Sequence, residues 1–545
     1  MRNQTPRPHT ARDISPLGDA FHVFDTTLRD GAQREGISYS VADKLAVASL
    51  LDSYGVGFIE GGWPGAMPKD TEFFDRARTE LRLHTAQLVA FGSTRKASIA
   101  VADDPQVRAL LECEAPIITL VAKSDVRHVR EALHTTLEEN LAMVFDTVAF
   151  LVEHQRRVFV DLEHFFDGYR NDADYGVAVL QAANDAGADV GVLCDTNGGM
   201  LPVGIHRVVT DVLSRTTMRL GIHCQDDTGC AVANTVTAVD AGVTHVQCTA
   251  NGYGERTGNA DLFSVVTNLS AKMGLPVLPE GKLRETMRIS HAIAEIANIT
   301  PDTHQPYAGV SAFAHKAGLH ASALKVSADL YNHMDPTIVG NSQRVLITEM
   351  AGRASVELKS QELGHDVSGD PELINRVVNR VKALESQGWT FEAADASFEL
   401  LLHQESGSDI SQPFTVESWR TIVDQDAQGN VVSEATVKLH AAGERVIATA
   451  EGNGPVNALD RALRQAVVDL FPQLAGVSLI DYKVRLLDNA RGTDSVTRVL
   501  IGSTDGDSRW NTVGVHENVI AASWRALEDA ITYALLTPAI AGESG

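Results

Sequence analysis

The stretch Met218–Gly242, "MRLGIHCQDDTGCAVANTVTAVDAG", decides the fold. It opens on a short apolar run, ends that run in a polar cluster from His223 to Asp227, and continues into an amphipathic segment at 231–241. A short apolar run without strict alternation reads as a strand covered on both faces, and such a strand followed by a helix reads as a βα unit of a parallel sheet. Seven more runs repeat the pattern: "FHVFDTTLRDG", "GVGFIEGGWPG", "QLVAFGSTR", "PIITLVAKSD", "RRVFVDLEHFFDG", "DVGVLCDTNGG" and "THVQCTANGYGER". Amphipathic segments at 41–54 and 175–187 lie between them. Eight βα units in roughly 250 residues predict an α/β fold of the (β/α)8 TIM-barrel type.

The polar residues support this count. Arg29 and Asp30, Glu60, Ser93, Lys123, Glu163, Asp195 and Thr196, His223 to Asp227, and Asn251 to Asn259 stand at the C-terminal ends of the runs. Barrel active sites are built at that end, whereas a doubly wound sheet would gather its ligand at one switch point.

The chain of 545 residues is too long for one ordinary core. We expect an N-terminal disordered arm at 1–18, the barrel at 19–285, helical linker subdomains with an insertion at 286–395, and a C-terminal domain at 396–540. The insertion is "HKAGLHASALKVSADLYNHMDPTIVGN". In the last part, "ATVKLHAAGERVIATAEG" leads to the helical "PVNALDRALRQAVVDLF", and the order returns in "DYKVRLLDNARGTDSVTRVLIGSTDG" and "WNTVGVHENVIAASWRALEDAITYALL". These halves read as a repeated ββ(β)α unit, a type more often binding or dimerising than catalytic.

A net charge of −25 argues against nucleic acid or an anionic membrane as partner. No apolar run approaches a membrane span, and the start lacks the apolar core of a secretory signal, so a soluble cytoplasmic protein is expected. The five cysteines show no C-x-x-C spacing and are expected to be reduced.

A metal site needs donors from several strand ends converging on one point. Alone, "RDG" reads as a turn and a single His as a structural hydrogen-bonding residue; in an eight-strand pattern, Asp30 and His223 become candidate ligands. Gln225 falls on the same side of the extended chain as His223, where an H-x-H pair would supply two imidazoles.

"FDTTLRDGAQ", "HCQDDTGCAVAN" and "NGYGERTGNADL" resemble, in order on strands one, seven and eight, the isopropylmalate, homocitrate and citramalate synthases. The resemblance extends over "HKAGLH…LYNHMDP" and "GNGPVNALDRAL", nearly the whole chain. "FIEGGWPGAMPKD" and "DLEHFFDG" look most like the citramalate synthase branch. The resemblance implies addition of the acetyl group of acetyl-CoA to a 2-oxo acid, pyruvate in that branch, followed by thioester hydrolysis. It implies Asp30, His223 and Asn259 as ligands, with Gln225 in place of the second histidine. Arg29 would stabilise the developing alkoxide, with Glu163 nearby and Thr196 bonding the oxo-acid carboxylate. His320 and Tyr331 would supply the base and the activated water, from a segment closing over the site from its own or a second subunit.

An amide oxygen is a harder ligand than imidazole, so the departure at Gln225 turns the expected divalent metal toward Mg²⁺ or Mn²⁺, with Zn²⁺ still possible. Alternatives remain open: 2-isopropylmalate synthase, acting on 2-oxoisovalerate; a metal-dependent aldolase or lyase; and an inactive regulatory paralogue. The C-terminal domain is expected to form a homodimer or higher homo-oligomer. It is also expected to sense a branched-chain amino acid, isoleucine, at helix starts following "EGNGPV" (451–456) and "NTVGVHENV" (511–519).

Overall fold

The computed structural model describes residues 19–407, 412–487 and 495–543. The expected arm at 1–18 lies outside the described residues, as does 488–494 of the second C-terminal half.

Eight parallel strands close into a barrel in sequence order: β1 (His22–Asp25), β2 (Phe58–Gly62), β3 (Gln87–Ser93), β4 (Ile117–Lys123), β5 (Arg157–Glu163), β6 (Val190–Asp195), β7 (Arg219–Cys224) and β8 (His245–Cys248). Pairing of His22 with His245 and Asp25 with Cys248 shuts the ring. Each strand falls inside one of the apolar runs. The helices between them follow the same logic, and the helix Val41–Tyr54 begins with a reciprocal capping box between Ser40 and Asp43.

Strand alternation sorts the barrel interior into levels. At the N-terminal end His22 and His245 meet at 3.1 Å between their Nδ1 atoms. Above them Phe24, Phe58, Val89, Ile117, Phe159 and Val190 form a packed plug, with every ring wholly or almost wholly buried. Burying one such ring is worth roughly 1.5–3 kcal/mol. The next inward positions toward the C-terminal end are polar: Asp161 two residues past Phe159, His223 two past Gly221, and Gln247 two past His245. Gly221 makes room beneath them, because a Cβ there would lie 2.7 Å from the His245 ring.

The chain divides into two compact units, one comprising residues up to Phe313 with Pro336–Ser342, the other Ala314–Asp335 with the chain from Gln343 onward. In the second unit a two-stranded parallel sheet, β9 (Ala314–His315) with β10 (Arg344–Val345), precedes three helices, Arg353–Glu362, Pro371–Glu385 and Asp395–Ser406. Val356, Ile374, Val377, Val381, Phe391 and Phe398 are their core. Two antiparallel sheets follow: β11 (Phe414–Gln425), β12 (Val431–Ala441) and β13 (Glu444–Gly452), then β14 (Ser478–Leu486), β15 (Thr497–Thr504) and β16 (Arg509–His516). Each sheet is followed by a helix, Pro455–Val467 or Val519–Glu543, so the repeat is a full βββα unit in both halves. Val437, Leu439, Leu459, Leu463, Ile501, Leu527 and Ile531 share one core. No helix among the described residues is long and apolar enough to cross a membrane.

Candidate active site at the C-terminal mouth of the barrel

Asp30, His223, Gln225 and Asn259 converge at the C-terminal end of the barrel, none of them more than 7% exposed. His223 Nε2 lies 3.3 Å from Asp30 Oδ2. Gln225 Nε2 lies 3.2 Å from the same oxygen and 3.4 Å from His223 Nε2. A β-bridge joins Gln225 to Asn259. The loop that brings Asn259 back is built from glycines: Gly258 sits at φ +95°, and a Cβ there would lie 1.9 Å from the Gly252 carbonyl oxygen. The Asn259 amide nitrogen donates to the Tyr253 carbonyl at 2.9 Å.

The hydrogen bonds behind the histidine set its tautomer. His223 Nδ1 lies 2.9 Å from Gln247 Oε1, and Gln247 Nε2 donates to Asp161 Oδ1 at 2.8 Å. An amide oxygen only accepts, so Nδ1 carries a proton and Nε2 faces Asp30. Burial lowers the His223 pKa, but its hydrogen bond to Asp30 together with the negative charges of Asp30 and Asp161 overcomes this and raises it. Burial pulls Asp30 the other way, upward; the Arg29 guanidinium and His223 overcome it and hold the carboxyl well below the usual range. His223 Nε2, Asp30 Oδ2 and the Gln225 amide thus face one another across 3.2–3.4 Å, a spacing at which one cation could meet all three.

Two buried carbonyl oxygens, Gln225 Oε1 and Asn259 Oδ1, find no hydrogen-bond partner. Unpaired buried acceptors are costly, and a cation relieves that cost. Rotating the Gln225 amide by half a turn, which exchanges its O and N, points the oxygen at Asp30 and His223. One carboxylate, one imidazole and two amide oxygens thus fit a divalent cation, with the hard-donor bias of Mg²⁺ or Mn²⁺.

Arg29 stands beside this cluster. Its Nε donates to Glu60 Oε2 at 2.6 Å, Nη1 lies 3.6 Å from Asp30 Oδ1, and the guanidinium lies 4.0 Å above the Phe91 ring. Trp63 packs edge-on against Phe91 with ring centres 5.2 Å apart. Burial raises Glu60 to about 7 against the pull of Arg29, and burial likewise raises Asp161. Glu163 forms an ion pair with Lys123. Thr196 Oγ1 accepts from the His164 N–H at 2.8 Å, which leaves its own proton to donate. Arg256 pairs with Asp227 and donates to the Thr196 carbonyl at 2.9 Å.

His320 and Tyr331 belong to the second unit, where their rings stack with centres 4.0 Å apart. His315 Nε2 bonds Asn332 Oδ1 at 2.8 Å beside them. Sequence reasoning singled out no role for Asp161, Gln247, Phe91 or the pairing of Glu60 with Arg29. The signal for the first two was present, because period-two alternation from Glu163 and His245 puts Asp161 and Gln247 on the inward face.

The fold is a TIM barrel whose C-terminal mouth gathers one carboxylate, one imidazole and two amide side chains, a donor set that would suit a divalent cation. The HMGL-like family model matches residues 20–293, the homocitrate synthase post-HMGL domain-like model 308–388, and the LeuA allosteric (dimerisation) domain model 392–535. An (R)-citramalate synthase of Streptomyces coelicolor is 66% identical over 97% of this chain and 99% of its own. The (R)-citramalate synthase of Aquifex aeolicus is 44% identical over 95% and 98%, and the 2-isopropylmalate synthase of Methanocaldococcus jannaschii 30% identical over 94% and 95%. The chain belongs to the HMGL-like family, in the group that holds the (R)-citramalate and 2-isopropylmalate synthases.

Proposed function

We propose that this protein condenses acetyl-CoA with pyruvate and hydrolyses the resulting thioester, releasing (R)-citramalate and CoA. The observation that carries the reading is the cluster of Asp30, His223, Gln225 and Asn259 with its two unpartnered carbonyl oxygens. The similarity to (R)-citramalate synthases at 42–66% identity over nearly the whole chain supports the choice of reaction.

Members of the HMGL-like family depend on a divalent metal. Held by these four residues, it would polarise the ketone of a 2-oxo acid chelated through ketone and carboxylate oxygens. Arg29, locked by Glu60 and Phe91, donates to the oxygen that gains negative charge as the new C–C bond forms, at no cost of reorientation. The Thr196 hydroxyl donates to the oxo-acid carboxylate, and Glu163 borders that position. Removal of a proton from the acetyl methyl and activation of the hydrolytic water are assigned to His320 and Tyr331.

The chain is organised as a barrel at 19–285, helical subdomains at 286–395 and a sensor at 396–540, in the cytoplasm. Dimerisation through the C-terminal sheets is supported by apolar side chains they leave exposed: Ile422, Val432 and Ile447 on the face of the first sheet opposite its core, and Val484 and Leu486 along β14, the edge strand of the second. The ligand of the sensor is isoleucine. Of the two helix starts proposed for it, that at Val519 has its Ile520 and Ala521 amides already bonded to the Asn518 side chain. The start at Pro455, after Gly454, has no side-chain cap, which favours the first half as the carboxylate site.

CoA release from acetyl-CoA with a panel of 2-oxo acids, with and without Mn²⁺, tests the reading. Pyruvate should give the highest kcat/KM, and chelation should abolish the signal. A higher kcat/KM with 2-oxoisovalerate would transfer the protein to the isopropylmalate branch, and no CoA release with any oxo acid would overturn the reaction.

A further inference from the structure

We propose a second metal site, of zinc type, in the second unit, formed by His365, Glu399 and His403. One ligand atom from each lies within 4.8 Å of the other two, the only such grouping of histidine, cysteine and carboxylate residues among the described residues. Glu399 and His403 lie four apart in the helix Asp395–Ser406 and so share a face. His365 arrives from the turn after the helix Arg353–Glu362, where Gly364 at φ +90° reverses the chain and the His365 amide bonds the Ser360 carbonyl at 2.7 Å.

The side chains are arranged as a ligand set with its support. His365 Nε2 lies 2.8 Å from Glu399 Oε1, and the His403 ring stands at 89° to the His365 ring with centres 4.9 Å apart. The other Glu399 oxygen accepts from the Tyr533 hydroxyl at 2.9 Å, as a carboxylate ligand is commonly held. Glu399 is 5% exposed, and among the described residues its ion-pair partner is His365 alone, with no lysine or arginine. A buried carboxylate in that position is stabilised by a cation.

The binding step is an exchange: the cation replaces the proton between His365 Nε2 and Glu399 Oε1, and that proton leaves to solvent. Tetrahedral zinc would open that contact to about 3.3 Å, a shift of roughly half an ångström, and leave the fourth position to water. Two imidazoles and one carboxylate select Zn²⁺ or Co²⁺ over Mg²⁺, opposite to the oxygen-rich barrel cluster. The bound ion would tie His365, in the segment matched as homocitrate synthase post-HMGL domain-like, to the first helix of the LeuA-like domain and, through Tyr533, to its last.

The full chain, stripped of metal and dialysed into excess Mg²⁺ to fill the barrel cluster, is titrated with Zn²⁺ against a chromophoric chelator. About one tightly bound equivalent per chain is expected, retained in Asp30→Ala and weakened at least about tenfold in Glu399→Gln and in His403→Asn. Co²⁺ added to the Asp30→Ala chain should give the intense visible bands of a tetrahedral site, a readout that needs no change near Glu399. Absence of those bands, no zinc retained by Asp30→Ala, or undiminished binding in folded Glu399→Gln and His403→Asn would each overturn the site.

Discussion

The barrel and the paired βββα sheets solve the same problem, burying apolar strands, in opposite ways. Barrel strands are covered on both sides, so β1, β2, β6 and β8 are buried along their whole length. Strands of the C-terminal sheets alternate, and β12 reads exposed, buried and intermediate along "VVSEATVKLHA". A closed sheet has no spare face, and its polar side chains can only meet at its ends, out of water and close to one another. An open sheet with helices on one side keeps a second face for another molecule. The first arrangement suits chemistry; the second suits assembly and sensing.

The largest effect that could break this contrast is at the barrel mouth. Asp30→Ala and His223→Ala are each expected to cut kcat for CoA release by at least about a thousandfold, because each removes a donor and strands the other's charge. Activity within tenfold of the parent after exhaustive chelation would remove the cluster from the chemistry.

On the open face of the first C-terminal sheet, Val432→Lys combined with Ile447→Lys should raise the dissociation constant of the proposed dimer by about a hundredfold in sedimentation experiments while leaving the barrel's metal affinity unchanged. An unaltered sedimentation profile would show that this face meets nothing in solution.

A third test exploits a buried acid of the C-terminal core. Burial raises Asp529 to about 7 although Ser397 Oγ donates to it at 3.0 Å. The carboxyl is ordinarily near 4 when unfolded, so the folded state binds the proton more tightly. Its contribution to stability is complete below pH 4, is lost as pH rises toward 7, and changes no further above that. Urea midpoints followed by tryptophan fluorescence should therefore fall between about pH 4 and pH 7, and the fall should shrink in Asp529→Asn. An equal fall in that variant would assign the pH dependence to other groups.

The smallest expected effect is at Gln225. Replacing it with histidine should strengthen Zn²⁺ binding at the barrel by about tenfold relative to Mn²⁺. Unchanged competition titrations would mean that Gln225 does not reach the ion.

The strands of the barrel were legible because apolar runs ending in polar clusters are a one-dimensional signal. All eight fall where the runs predict, and the repeat of the C-terminal domain was legible for the same reason. Asp30, His223, Gln225 and Asn259 were found through motifs, and the structure brings them together. What was not legible is pairing. Nothing in "FIEGG" says that Glu60 will hold Arg29, or that Phe91 will support the guanidinium, since both depend on which strands become neighbours. His365, Glu399 and His403 escaped notice because 34 positions separate the first two, and only the packing of their helices closes that distance.

The Gln247 side chain has a consequence for metal uptake. Its amide is gripped at both ends, by His223 on one side and Asp161 on the other. A ring held in this way is already oriented before any ion arrives, so coordination has little rotational freedom to freeze out. Gln247→Ala would keep all four proposed ligands yet free the His223 ring to turn, so a metal at this cluster should be captured more slowly and lost faster, and the output of the enzyme would follow the free concentration of the ion.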